Sequence, residues 1–499
     1  MPTSTPIADA GLPWLRSLST ESTDAVPLVI NGRPVHTANV HEYAARGASA
    51  LTRRVCFADA ELVAEAAIAS DAARPQCAAL TRKERSDILR SMADRLESGL
   101  DELGYSIALE VGKSLSDSEG EVTRAISTLR SAADSVSALV GSEVAVDSVD
   151  VGKGRFAYTI WQPIGVISAI CGFNFPLLLA VHKLAAAIGA GCPILLKPSE
   201  RTPFTTLVLA DAAISAGWPA KGISILNGLA DVGEVMSTHP AVRLVSFTGS
   251  SAVGAKIAAS AGAHLKRVVL ELGSNAATIV TDDADLDLAA ERCAAGAVAS
   301  TGQSCISVQR ILVQSTIADE FGDLLAKKFR GLTAGNPLDG TSIGRLVSDA
   351  EETRVRGLIE NATDSGARLL AGPGTLETIA PTLLTNVPLT AEIAQLEVFG
   401  PVAGIFTFTD DDEAVALANS TPYGLMAGVF TGSLDRAMFF AQSIEAGGVH
   451  INDSSNFRPD NIPYGGVKAS GIGKEGPAYA MREMSNEKVI TLRLPRSAS

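Results

Sequence analysis

The chain has 499 residues, 46% hydrophobic and 19% charged, long enough for about three domains and too apolar for wholesale disorder. A formal charge of −14 argues against nucleic acid or an anionic membrane as a dedicated partner. Six cysteines without a C-x-x-C pair, and six histidines, argue against a disulfide scaffold or a zinc site and suit a reducing, cytoplasmic compartment.

Residues 1–26 are polar and aperiodic, without signal-peptide character, and read as a segment wrapping the surface. PLVINGRPV (27–35) reads as a strand, an Asn-Gly turn and a second strand. Helical spacing covers 59–100 with a break at Pro75, then 102–140 with a turn-prone Gly112 inside it. Residues 175–196 have the length of a membrane span. His182 and Lys183 near the middle, and Gly189, Gly191 and Pro193 near the end, make them a buried helix, a turn and a buried strand instead.

From 155 onward, short apolar runs alternate with helices: GVISAI (165–170), PILLKP (193–198), ISILNG (223–228) and LVSFTG (244–249). This spacing predicts βαβ units and a parallel sheet, hence the α/β class. VVLEL (268–272), ATIV (277–280), RILV (310–313) and PVAGIFTF (401–408) form a second alternation and predict a second α/β domain. EKVITLRL (487–494) alternates apolar and polar residues with no partner strand beside it, so it pairs elsewhere in the chain or with another subunit.

Several segments carry candidate chemistry. FTGSSAVG (247–254) is a strand, a turn and a helix start, which can hold a pyrophosphate, although Gly249 and Gly254 do not form G-x-G-x-x-G and by spacing alone an ordinary strand–helix turn is the better reading. In KPSE (197–200), Lys197 and Glu200 can bond ribose hydroxyls or cap a solvated strand end. GQSCIS (302–307) sets Cys305 in a small polar turn, where a thiol can be accessible and activated; the other cysteines lie in apolar or helical runs. Glu271 interrupts an apolar run, as a general base or one half of a buried ion pair. Asn174 follows the first strand of the alternating region and can donate to an oxyanion or cap a helix.

In order, GFNFP (172–176), LKPSE (196–200), FTGS (247–250), LELGSN (270–275), GQSC (302–305), EVFGPV (397–402) and PYGGVKASGIGKEG (463–476) resemble the sequence blocks of the NAD(P)-dependent aldehyde dehydrogenases, from about residue 28 to the C-terminus. The resemblance implies Cys305 as nucleophile, Glu271 as the base that activates water, and Asn174 as oxyanion donor together with the Cys305 backbone N–H. It implies Lys197, Ser199 and Glu200 at the adenosine ribose, Gly249 and Ser250 at the pyrophosphate, and Glu397 and Phe399 at the nicotinamide ribose and ring. The cofactor is NAD, with NADP open; Glu200 would repel a 2′-phosphate. No metal is implied.

Arg124 in GEVTRA (120–125) and Arg458 in SSNFRPDNIPYGG (454–466) look like positions where members acting on short phosphorylated, phosphono or hydroxylated aldehydes carry arginine, and with Phe175 they are the candidate substrate contacts. Ser304 departs from phosphate-selective members, which carry another arginine before the nucleophile. A semialdehyde carboxylate or a neutral hydroxyaldehyde such as lactaldehyde fits two arginines better. The implied fold is a Rossmann-type cofactor domain (1–142 and 161–273), an α/β catalytic domain (274–482) and a small β oligomerisation element (143–160 and 483–499). Its orphan strand would pair with a neighbouring subunit in a homodimer or homotetramer. A CoA-acylating semialdehyde dehydrogenase is the alternative, against which Glu271 argues. An inactive structural homologue is another, against which Cys305, Glu271 and Asn174 together argue.

Overall fold

The computed structural model describes residues 25–47, 52–372 and 378–493. The predicted surface segment lies almost wholly outside them, as does the last residue of 487–494. Strands Leu28–Ile30 and Arg33–Val35 pair antiparallel around Asn31 and Gly32, both left-handed at φ 52° and 74°, the conformation a tight Asn-Gly hairpin needs.

Helix Ala60–Ala79 runs through Pro75, where the sequence predicted a break. Proline removes the N–H that would bond the Asp71 carbonyl; Arg74 Nε donates to that carbonyl instead, at 3.3 Å. Helices Arg82–Ser98, Leu100–Val111 and Leu115–Ser135 follow, and Gly112, left-handed at φ 83°, ends the second of them. The apolar stretch that mimicked a membrane span is helix Pro176–Ala190, buried along its whole length, followed by strand Ile194–Lys197. Among the described residues no helix is long and apolar enough to cross a membrane.

An eight-stranded sheet has a parallel centre: Arg267–Glu271, Val242–Thr248, Val166–Ile170, Ile194–Lys197 and Ile223–Ile225, side by side. VVLEL therefore belongs to the first group of strands, not the second as predicted, because Arg267–Glu271 pairs with Val242–Thr248. Strand order is a long-range property that a linear pattern cannot reveal. The order reverses between Val166–Ile170 and Val242–Thr248, which makes a crevice at their carboxyl ends. A seven-stranded sheet runs Arg368–Ala371, Thr382–Thr385, Val402–Phe408, Arg310–Gln314, Ala277–Val280, Met426–Phe430 and Gly448–Ile451, parallel except for the first pair. Each sheet is sandwiched by helices over apolar cores, so its strands read as continuous apolar runs.

Ser485–Arg493 pairs antiparallel with Arg155–Pro163 of the same chain, in a three-stranded sheet with Glu143–Val144. The expectation that this strand needs a neighbouring subunit to pair is thus corrected. It still forms the outer edge of its sheet among the described residues.

Candidate active site

A cavity of about 670 Å³ opens between the two large sheets. The carboxyl ends of the first sheet supply one wall. Ile170 pairs with Phe247, and Thr248 with Glu271, so the segments after these strands, with Asn174, Gly249 and Ser250, emerge side by side. Segments entering the second sheet supply the opposite wall: Ser304 and Cys305 before Arg310–Gln314, and Glu397 and Phe399 before Val402–Phe408. Arg124, Phe175 and Arg458 complete the lining, whereas Lys197, Ser199 and Glu200 lie outside it, on the next strand end.

Cys305 follows an unusual backbone. Ser300, Thr301 and Gly302 are left-handed in succession, at φ 53°, 58° and 70°. A Cβ on Gly302 would meet the Gly400 carbonyl oxygen at 2.1 Å, so glycine lets the two loops touch. Strain stored in this way is held only where surrounding contacts dictate it. Cys305 is half-buried and the other cysteines are buried. Its Sγ lies 3.2 Å from the Tyr464 hydroxyl. Burial pushes the thiol up to about 11, opposed by Tyr464 and Arg458.

Asn174 is locked at three points. Its Nδ2 donates to the Gln303 carbonyl at 2.8 Å, and its own carbonyl accepts from Lys113 Nζ at 3.1 Å and from Ser300 Oγ at 3.3 Å. It does not cap the following helix. Glu121 does, accepting from the N–H groups of Leu177 and Leu178 at 2.8 and 3.0 Å.

Glu271 ends its strand with both carboxyl oxygens buried and unbonded, which excludes the ion-pair reading. Burial, and then the charge of Glu475, raise it well above the usual carboxylate range. Beside it lies an ionic network that sequence reasoning missed. Lys183 Nζ donates to Glu475 at 2.8 Å and to Thr248 Oγ1 at 2.7 Å. Arg458 bonds Glu475 at 3.2 Å. Arg124 grips Asp460 through two bonds of 3.0 and 2.7 Å, and His182 stands 3.4 Å from Asp460. Burial would raise Asp460, but His182 and Arg124 hold it well below its usual value. The sequence signals were Arg124 and Arg458, read as substrate contacts, and His182 and Lys183 in the middle of an apolar helix; Asp460 and Glu475 carried none.

The cofactor candidates split. Ser250 caps helix Ser251–Ala263, leaving its first N–H groups and positive dipole end beside Gly249. A Cβ on Gly249 would strike the Phe247 ring at 2.4 Å. Glu397 accepts from the Ser274 N–H at 3.0 Å, and burial raises it to about 7. Phe399 stands edge-on to Phe173 at 5.8 Å. Lys197 is buried, 4.0 Å from the half-exposed Glu200.

Residues 42–490 match the model of the aldehyde dehydrogenase family. The chain is 42% identical to 3-sulfolactaldehyde dehydrogenase of Priestia aryabhattai over 82% of its own length and 86% of the relative's. Aldehyde dehydrogenase 21 of Physcomitrella patens, solved with the product succinate, superposes at TM-score 0.91 with 34% identity, over 95% of this chain and 99% of that one. NADP-dependent glyceraldehyde-3-phosphate dehydrogenase of Bacillus halodurans, solved with NADP, superposes at 0.91 with 32% identity, over 95% and 100%.

Proposed function

The chain belongs to the aldehyde dehydrogenase family and oxidises an aldehyde to a carboxylic acid with NAD(P); on that premise we propose that Cys305, Glu271 and Asn174 carry the chemistry. The observation that carries this reading is the meeting of a half-buried thiol and an unpartnered, proton-retaining carboxyl in one cavity.

The Cys305 thiolate adds to the aldehyde carbon. The oxyanion that forms accepts hydrogen bonds from Asn174 Nδ2 and the Cys305 backbone N–H, worth about 3–4 kcal/mol in comparable sites. Nicotinamide, when bound, supplies the hydride acceptor. Collapse of the adduct leaves a thioester on Cys305. Glu271 then takes a proton from water, the hydroxide attacks the thioester, and the acid leaves with the thiolate restored. Glu271 must ionise for this step, and its raised proton affinity makes it a stronger base once it has done so.

Gly249 and Ser250, at the mouth of helix Ser251–Ala263, would hold the pyrophosphate, with Glu397 and Phe399 at the nicotinamide ribose and ring. Lys197, Ser199 and Glu200 would hold the adenosine ribose one strand further along. Their groups fit a dinucleotide: a glycine whose Cβ would strike the Phe247 ring, a helix N-terminus, and a Glu397 carboxyl that accepts from the Ser274 N–H. The first sheet, with 1–142 and 161–273, is the cofactor half and 274–482 the catalytic half. The free edge of Ser485–Arg493, with Val489 and Leu492 exposed, suits association into a homodimer or homotetramer.

The substrate is a short aldehyde carrying a hydroxyl or a single negative charge. Two arginines, Arg124 and Arg458, line the cavity, held from behind by the carboxylates of Asp460 and Glu475. Two guanidinium groups that already share their charge with these partners suit a carboxylate or sulfonate better than a phosphate dianion. The relative named for 3-sulfolactaldehyde favours the same class. NADH formation across a panel of neutral, carboxylated, sulfonated and phosphorylated short aldehydes, with and without coenzyme A, tests the reading. Activity that requires coenzyme A, or a phosphorylated aldehyde as best substrate, would overturn it.

A further inference from the structure

Tyr464 is 2% exposed and its hydroxyl stands 3.2 Å from Cys305 Sγ. The Arg458 guanidinium carbon lies over the Tyr464 ring, 3.4 Å from its centre. The cation thus sits on the ring face and the sulfur at the ring's hydroxyl. The guanidinium is itself anchored by Glu475 at 3.2 Å, on a side chain 9% exposed in the cavity wall.

We infer that Tyr464 holds the nucleophile through a hydrogen bond from its hydroxyl to the Cys305 sulfur, and that Arg458 is a positioning residue which strengthens this bond through the Tyr464 ring. The inference rests on Cys305 being the nucleophile. When the thiol loses its proton to solvent, the sulfur can only accept, so the phenol must donate. A cation on the ring face draws electron density from the phenol and makes its O–H a better donor. Hydrogen bonds to ionised groups are about twice as strong as neutral ones, so the contact favours thiolate over thiol. Arg458 thereby serves the sulfur as well as the substrate.

The surroundings make such a donor necessary. Burial disfavours the thiolate, and Glu397 and Glu271, which line the same cavity, oppose it further when charged. Lys183, Glu475 and His182 lie behind Glu271 and Arg458, where their charges largely cancel. Asn174 Nδ2 donates one proton to Gln303, and its second is the one assigned to the oxyanion. Tyr464 is the side chain hydrogen-bonded to the sulfur.

The test is the pH dependence of Cys305 alkylation by iodoacetamide in the full-length protein without substrate, with the modified cysteine located by mass spectrometry. Tyr464→Phe keeps the ring and the packing but removes the donor. It should raise the alkylation midpoint by about one pH unit or more. Arg458→Gln should raise it by a smaller amount, and Arg458→Lys should recover part of that shift. A midpoint in Tyr464→Phe within about half a unit of wild type would overturn the inference, and so would an unchanged midpoint in a folded Arg458→Gln. The readout needs no aldehyde, so it stays separate from the reading it rests on. That reading fails instead if Cys305→Ala still oxidises aldehydes.

Discussion

Glu271 and Glu475 are each 3% exposed, the first lining the cavity and the second buried in the ionic network beside it, yet their proton affinities are pushed in opposite directions. Glu271 ends a strand of the parallel sheet with no bond to either oxygen, and burial keeps its proton on. Burial acts on Glu475 in the same direction, but Lys183, His182 and Arg458 outweigh it and hold the carboxyl at about 2. Arg458 and Lys183 act on Glu271 as well, so what separates the two carboxyls is a cation bonded directly to Glu475 and none bonded to Glu271. One region is left electrically unfinished, as a group that must gain and lose a proton requires. The other is closed upon itself and serves as scaffold and charge reservoir.

Removing the nucleophile abolishes the function of the open region. Cys305→Ser should lower kcat by roughly 10³-fold or more, because a serine hydroxyl in this turn has no adjacent base. Cofactor binding, measured by fluorescence titration, should stay within about twofold of wild type. Activity above a few per cent would break the assignment of Cys305.

Glu271→Gln sharpens the comparison, since it leaves a neutral group where the folded protein already keeps one. Acylation should proceed and hydrolysis should fall by roughly 10²-fold. The signature is a stoichiometric NADH burst followed by slow turnover in stopped flow. In wild type the hydrolytic rate should climb with pH through a midpoint above the usual carboxylate range, since only ionised Glu271 is a base. A variant without a burst would put Glu271 in an earlier step.

The closed region answers to stability instead. Lys183→Met strips Glu475 of its nearest cation, 2.8 Å away, and should cost about 3–5 kcal/mol, read as a drop in Tm. The pH sense follows from the lowered carboxyl. Its contribution is complete above the unfolded value of about 4.3 and fades as pH falls toward about 2. The wild-type advantage over Lys183→Met should therefore shrink across that window. An equal Tm for the two proteins at pH 7 would erase the distinction between the two regions.

Local patterns were legible in the sequence and distant pairings were not. The Asn31–Gly32 hairpin and the helix that imitated a membrane span follow from neighbouring residues. Glu271 stood out as an acid in an apolar run, although only the fold shows that it lacks a partner. Lys183 and Glu475 are 292 positions apart, and Arg124 and Asp460 336, so no local spacing could join them. The Pro75 break failed because Arg74 replaces the lost donor, a side-chain remedy that helical periodicity does not register. VVLEL was misgrouped because its sheet is chosen by tertiary pairing.

A third glutamate completes the series and carries the smallest expected effect. Glu200 has a side chain 47% exposed and a lysine 4.0 Å away, so it is neither isolated nor tightly paired. It sits just past Ile194–Lys197, one strand beyond the wall that bears Asn174. There an ionised carboxylate can accept from a ribose 2′-hydroxyl and repel a 2′-phosphate. Solvent screens an exposed charge, so its discrimination should be modest. Glu200→Gln should raise kcat/KM for NADP about threefold relative to NAD, with kcat for either cofactor unchanged. The buried glutamates would by contrast change kcat, because their charges act on reacting groups in a medium that screens them poorly. Equal kcat/KM for NAD and NADP in the wild type would remove Glu200 from cofactor choice. A change in kcat in Glu200→Gln would mean that its charge reaches the reacting centre despite the solvent.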